Sequence, residues 1–210
     1  MKKFAKVMAF MLCAAVLVCG SIFGTYAYLT AQTNVVTNTF TFGGVIITLD
    51  EAKVDAETGR IIPGEERVMA NTFKLMPGKD YDKDPTIHVD SQSENCWIFV
   101  KVQNDISLLE EAQDSSKPTI REQMNKYGWT LVSGQTNIYK YKEIATPEGS
   151  NLTTAVAGDY RVFDKIYIAP GVTGFGSYQG ATIKITGYAV QADGFTTADA
   201  AWAAAHASFN

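Results

Sequence analysis

The stretch CWIFVKVQ, residues 96–103, decides the fold, because its side chains alternate between two faces. Its even-numbered residues, Cys96 to Val102, share one apolar face, whereas Lys101 and Gln103 lie on the other. A period of two with many β-branched and aromatic residues predicts a strand with one face on a core. The same alternation recurs in four further runs, at residues 45–49, 87–90, 139–142 and 183–190.

Glycine and proline pairs mark turns between these runs, at Gly43–Gly44, Pro63–Gly64, Pro77–Gly78 and Pro170–Gly171. Short strands with turn signals, and no alternating rhythm of strands and helices, favour an antiparallel sheet protein over an α/β fold. We therefore predict a mainly β protein, an antiparallel jelly-roll-like β-sandwich. The acidic, turn-rich segment 50–67 is predicted to be a long mobile loop.

Two short helices are predicted to interrupt the strands. The internal helix spans residues 117–127, with Ser116 as its N-cap and Gly128 just past its end. The C-terminal helix is capped by Thr196 or Thr197. Its apolar face consists of Ala198, Ala201, Trp202, Ala205 and Phe209. We expect this face to dock on the sandwich.

The N-terminus reads as a signal peptide, residues 1–27, which is predicted to be helical. Three lysines precede an apolar run over residues 7–18, and small residues then lead to a cleavage site between Ala27 and Tyr28. Cleavage there leaves a single domain, residues 28–210. The protein is therefore predicted to be secreted, and an uncleaved membrane anchor is the alternative. In that case the signal segment alone contacts the membrane.

Charge and cysteine content narrow the possible partners. The formal net charge of −4 becomes −7 when the three lysines of the signal segment are removed, because that segment carries no acid. An acidic mature chain argues against nucleic-acid binding. Only Cys96 remains after cleavage, so no intramolecular disulfide is available, and its apolar surroundings predict a buried, inert thiol.

Catalytic and metal-binding patterns are scarce in this sequence. His88 and His206 form no zinc-peptidase motif, and each is predicted to be a solvated histidine. Asp80, Asp82 and Asp84 have the spacing that opens a calcium loop. However, that loop needs glycine where Pro85 stands, so a solvated strand entry competes with calcium binding. No cofactor is predicted, and we predict that the protein is not an enzyme.

Four pieces of the sequence together resemble a known family. The first is GTYAYLT at residues 24–30, and the second is NTFTFGGVIITLDE at 38–51. The third is LMPGK at 75–79, followed by PTIHV at 85–89 and WIFVKV at 97–102. The fourth is GYAVQA at 187–192, together with Ala201–Trp202. These pieces are similar to the TasA/camelysin family of exported biofilm-matrix proteins. The first piece resembles the signal ending cleaved by a dedicated signal peptidase of spore-forming bacteria.

The resemblance implies a jelly-roll sandwich, export by the general secretory route, and extracellular fibres built with other matrix proteins. In such fibres the new N-terminus, residues 28–38, is expected to pair with a sheet edge of a neighbouring subunit. The β-prone residues of that segment are Thr30, Thr33, Val35, Val36 and Thr37. A free terminus, or one that folds back on its own sheet, is the alternative. Some family members have been called metallo-endopeptidases, and this sequence lacks the ligand cluster for that activity.

A cell-surface binding module is the main alternative function, because aromatic side chains on a sandwich often stack on sugars. The candidates are Trp97, Trp129, Tyr139, Tyr141, Tyr167 and Tyr178. Core or cross-strand packing is the competing interpretation of these residues. A secreted hydrolase is a third possibility, and it requires a site assembled from scattered residues.

Overall fold

The computed structural model describes residues 2–29, 44–110, 117–152 and 157–209. The chain divides into an N-terminal unit, Met1–Thr41, and a body, Phe42–Asn210. In the N-terminal unit, helix α1 spans Lys2–Leu29, and the side chains of residues 2–17 are exposed. The predicted cleavage residues Ala27 and Tyr28 lie in the last turn of α1, and the cleavage itself stays a prediction. Across the described ranges, no helix combines the length and apolar character needed to cross a membrane.

The described part of the body contains nine strands and two α-helices. The strands are β1 Ile47–Asp50, β2 Asp80–Asp82, β3 Thr86–Val89, β4 Cys96–Asn104, β5 Trp129–Leu131, β6 Ile138–Tyr141, β7 Asp159–Arg161, β8 Lys165–Tyr167 and β9 Ile183–Gln191. The helices are α2 Ile120–Lys126 and α3 Ala198–Ala205. Short 3-10 turns lie at Ser107–Leu109, Phe175–Tyr178 and His206–Ser208.

All strand pairs are antiparallel, and they form three sheets. The orders are β1-β3-β7 in a three-stranded sheet, β2-β8 in a two-stranded sheet and β5-β6-β4-β9 in a four-stranded sheet. The prediction of a mainly β, antiparallel protein is therefore confirmed. The five alternating runs noted in the sequence correspond to β1, β3, β4, β6 and β9.

Strand β4 is central because both of its faces are buried. Ile98 and Val100 face the main core, which also receives Ile87 from the three-stranded sheet and Trp129 from β5. On the opposite face, Phe99 packs on α3, with its ring centroid 5.1 Å from that of Trp202. Burying such a side chain contributes about 1.5–3 kcal/mol. The predicted docking face of the C-terminal helix thus lies on the four-stranded sheet, through Ala198, Ala201 and Trp202.

The internal helix starts later than predicted. Helix α2 begins at Ile120, and its N-cap is Thr119, whose hydroxyl accepts a hydrogen bond from the Glu122 backbone N–H. The Glu122 carboxylate in turn accepts one from the Thr119 backbone N–H at 2.8 Å. This reciprocal capping box satisfies two N–H groups that the first helical turn leaves unpaired, which fixes the start at Thr119. Ser116 lies outside the described residues.

The segment 50–67 is also more ordered than predicted. Glu51 pairs with Val68, and Val54 pairs with Ile61, in isolated antiparallel bridges. The side chain of Val54 is buried. The segment is therefore paired to itself and to the body at these points, although most of its acidic side chains remain exposed.

Candidate functional site

The longest edge of the four-stranded sheet belongs to β9, a nine-residue strand. Among the described residues, β9 pairs only with β4. The backbone bonds that extend this ladder join Thr182 to Asp105 and Ala192 to Asn95, so even-numbered residues point toward β4. Because antiparallel strands alternate, the N–H and C=O groups of the odd-numbered residues, Ile183 and Ile185 among them, point to the open edge.

A groove of about 760 Å³ runs beside the first half of β9. One wall is the continuous stretch Gly180–Thr186, and the facing wall is Met69–Phe73. Within the described body, no backbone hydrogen bond involves residues 69–73. Within the described residues, the outward backbone groups of Ile183 and Ile185 on one wall and the backbone of residues 69–73 on the other therefore have no backbone partner. That arrangement suits an extended peptide, which can bond to backbone on either side.

The floor of the groove is a buried ion pair, Glu51 with Lys83. The side chains are 7% and 9% exposed, respectively. Asn71 donates a hydrogen bond to the other carboxylate oxygen of Glu51 at 2.8 Å. The Lys83 ammonium also lies 5.8 Å from the centroid of the Phe73 ring. The two partners of the ion pair are 32 residues apart in the sequence, so the tertiary fold brings them together.

The predicted calcium residues are all engaged by basic side chains. Asp80 and Asp82 both contact Arg60 and Lys165, at 2.9–3.3 Å. The hydrogen bond from Arg60 is the largest influence on Asp80 and helps lower its pKa to about 2. Asp84 contacts Arg67 at 3.0 Å and accepts from the Ala52 backbone N–H at 2.7 Å. Within this strand entry the acids are therefore neutralised by the protein itself, and Asp84 is buried.

His88 is not the solvated histidine expected from its strand position. Its Nδ1 lies 2.6 Å from Asp159 Oδ1 on β7, and its Nε2 lies 2.9 Å from Asp50 Oδ1 on β1. Burial lowers the pKa of His88, but the hydrogen bonds and charges of the two aspartates outweigh burial and raise it. Arg67 also binds Asp50. The imidazolium thus ties all three strands of its sheet together.

The remaining candidate chemical groups lie apart from one another. Cys96 is fully buried, and burial raises the pKa of its thiol to about 11, as expected for an inert thiol. His206 is exposed and stacks on Trp202 beyond the end of α3. Among the residues that the structure describes, no group of three His, Cys, Asp or Glu side chains is arranged to hold a metal ion.

Four of the six aromatic candidates for sugar stacking are buried in the fold, namely Trp97, Trp129, Tyr139 and Tyr141. The indole N–H of Trp129 donates to the Arg161 carbonyl at 2.8 Å. Tyr167 and Tyr178 are partly buried. Core packing, the alternative to sugar stacking, therefore explains most of these six aromatic residues.

The predicted assembly strand lies outside the described residues. Its members Thr30, Thr33, Val35, Val36 and Thr37 all fall between α1 and Gly44. The described body resumes just before β1, which lies against β9. Donation of this segment to a neighbour therefore stays a prediction.

Comparison with known proteins does not identify this chain. No protein-family model matches it, no curated protein matches it, and no solved structure matches it.

Sequence reasoning missed the groove and its floor. The alternation over residues 183–190 identifies β9 as a strand, but edge position depends on which strands pair, and a local pattern does not contain that information. The signal for Lys83 was its place between Asp82 and Asp84, which suggested a solvated run. Its partner Glu51 is remote in sequence, so burial of the pair arises only from the tertiary fold.

Proposed function

We propose that this protein is a secreted structural protein of the extracellular matrix or cell surface, and that it assembles into fibres by donating its N-terminal strand. On this proposal, residues 1–27 direct export and are removed by a signal peptidase. The jelly-roll-like body then receives residues 28–38 of a neighbouring copy. Other matrix proteins are further partners in the fibre, and the subunit itself catalyses no reaction.

The observation that carries the proposal is the open edge of β9 beside the groove. Exposed, unpaired edges are normally blunted in monomeric proteins, because they pair readily with other chains. Here the first four residues of the β9 edge, 183–186, line the groove opposite residues 69–73, which form no backbone hydrogen bond within the described part of the chain. A strand inserted between them gains backbone hydrogen bonds on both sides, and each is worth about 0.5–1.5 kcal/mol net.

Strand donation supplies the kind of contact from which fibres are built. The donated strand lies at one end of the chain, and the groove lies on the body, so the contact joins two different surfaces. A head-to-tail contact of this kind generates filaments when successive copies do not close into a ring. The resemblance of residues 24–30 and 38–51 to exported matrix proteins supports the same reading.

Electron microscopy of purified protein tests the proposal. Residues 28–210 are expected to form fibres, whereas the precursor, residues 1–210 held in detergent, is expected to form none because its donor strand is still attached to the signal segment. A mature protein that stays monomeric under every assembly condition would contradict the proposal.

A further inference from the structure

Lys83 has unused hydrogen-bonding capacity inside the groove. An ammonium group carries three N–H donors, and within the described residues its only hydrogen-bond acceptor is the Glu51 carboxylate. The side chain of Lys83 is nevertheless more than nine-tenths buried, and it lines the groove. A buried donor without an acceptor costs about 1–3 kcal/mol, and more when it is charged. This floor is therefore arranged to receive an oxygen atom from a ligand.

The charge of the floor restricts that ligand to an uncharged group. Glu51 and Lys83 neutralise each other, and Asn71 holds the carboxylate in place with a hydrogen bond. A charged side chain brought next to this balanced pair would be desolvated without a counter-charge, which is costly. A carbonyl, amide or hydroxyl oxygen supplies the missing acceptor without adding charge.

One segment of this chain has that chemistry. Residues 28–41, YLTAQTNVVTNTFT, contain no charged side chain and carry five threonines, two asparagines and one glutamine. As an extended strand these residues span about 45 Å, against about 23 Å for the seven-residue wall of the groove. The segment is long enough to cover the groove and still connect to the next residue of its own chain.

We propose that Lys83, held by Glu51 and Asn71, is the register-setting contact for the donated strand and binds one oxygen of residues 28–38. This inference rests on the proposed function and adds the residues that select the strand. A polar contact at this position helps to fix register, because a slip of one residue turns the side chain that faces Lys83 to the opposite face of the strand. The rest of the floor near it, including Ile166 and Phe73, supplies apolar contact.

Binding of a synthetic peptide, residues 28–41, to the body, residues 42–210, tests this inference by isothermal titration calorimetry. The body is suitable because all described members of both hydrophobic clusters belong to it. The test variant is Lys83→Met with Glu51→Gln, which removes both charges and leaves an amide oxygen for Asn71. The matched control is Lys53→Met with Glu65→Gln, an ion pair at 3.3 Å whose side chains are about half exposed.

We expect the floor variant to bind the peptide at least tenfold more weakly than the wild-type body, and the control to bind within twofold. Equal affinity of the floor variant and the wild type would overturn the inference and leave strand donation standing. Failure of the peptide to bind any body, wild type included, would instead overturn strand donation, and this inference with it.

A measurement on the wild-type body covers the case in which the floor variant does not fold, as judged by circular dichroism. The ¹⁵N-labelled side-chain ammonium of Lys83 is followed by nuclear magnetic resonance as the peptide is added. A shifted, slowly exchanging signal at saturation is expected, because the new acceptor replaces water. An unchanged signal at saturation would overturn the role of Lys83.

Discussion

The two edges of the four-stranded sheet differ in the length of the edge strand and in what covers it. At one edge, β5 is three residues long and is flanked by α2, and its Trp129 side chain is fully buried with its N–H bonded to Arg161. At the other edge, β9 is nine residues long, lies beside the groove, and pairs with β4 alone among the described residues.

This difference shows which edge the fold protects. Short length and a covering helix are two of the devices by which proteins prevent an edge from pairing with another chain. The β5 edge has both, whereas β9 is long and no helix among the described residues covers its first half; α3 packs on one face of its second half, and β1 also lies against β9. An edge left open in a fold that protects its counterpart is best explained as an interface.

The largest effect is expected from proline placed in the open edge. The Ile185 N–H points away from β4, so Ile185→Pro removes no ladder bond but takes away a donor and places a ring where the incoming strand must lie. We expect this substitution to abolish fibre formation by residues 28–210, as measured by sedimentation of the fibres in a centrifuge. The body is expected to remain folded.

Leu131→Pro is the matched control on the protected edge. By the alternation of the β5–β6 ladder, in which Val132 and Lys142 supply the bonded N–H groups, the Leu131 N–H also points outward. This variant is expected to assemble as the wild type does. Loss of assembly in both variants would mean that the two edges are not different in function.

The next largest effect concerns the sheet that faces β9. Because the pKa of His88 is raised in the folded state, its contribution is fully present below the unfolded value of about 6.5 and is lost as pH rises through the folded pKa. Between pH 6 and pH 8.5 we therefore expect the free energy of unfolding to fall. Denaturant unfolding measures this fall.

His88→Gln is expected to flatten that dependence, since an amide does not titrate. The aspartate partner Asp50 has a lowered pKa, because the bonds from Arg67 and His88 outweigh the opposing effect of burial. Its contribution is therefore lost only at acid pH, below the range used. A wild-type curve that rises toward pH 8.5, or a variant curve of the same slope as the wild type, would contradict the assigned role of His88.

A smaller effect is expected where α2 covers the protected edge. Thr119→Ala removes the N-cap of α2 and is expected to lower the free energy of unfolding by about 1 kcal/mol. Arg121→Ala, in an exposed position of the same helix, is the control and is expected to change it by less than half of that. Fibre formation should be unchanged in both, and fibres that require an intact α2 would argue that the β5 edge is also an interface.

The smallest effect is expected at the acids of the two-stranded sheet, which lie at neither edge of the four-stranded sheet. Arg60→Ala is expected to cost less than about 1 kcal/mol, because Arg60 is half exposed and Lys165 still contacts Asp80 and Asp82. Millimolar calcium should leave the melting temperature of the wild type unchanged. A rise of several degrees would show that the calcium interpretation of these residues is correct.

The sequence predicted the long strands and missed the short ones, for a physical reason. β4 and β9 extend over nine residues, so a period of two is visible in their side chains. β5, β7 and β8 have three residues each, too few to show a period, and their strand geometry comes from pairing with distant partners.

The candidate site follows the same rule. His88 bonds to residues 38 and 71 positions away, and Lys83 pairs with a residue 32 positions away. Lys83 lies between two aspartates and His88 lies on the polar face of an alternating strand, so the local sequence predicts that both are solvated. Long-range contacts decide which polar side chains are buried, and a single sequence does not reveal them.

The most direct test of the account is the mass in solution of residues 28–210 and of residues 39–210, followed by light scattering under the same conditions. The account predicts that the longer protein grows into large assemblies while the shorter one stays a monomer. If both remain monomeric, or if both grow alike, the open edge of β9 does not receive the N-terminal strand of a neighbour.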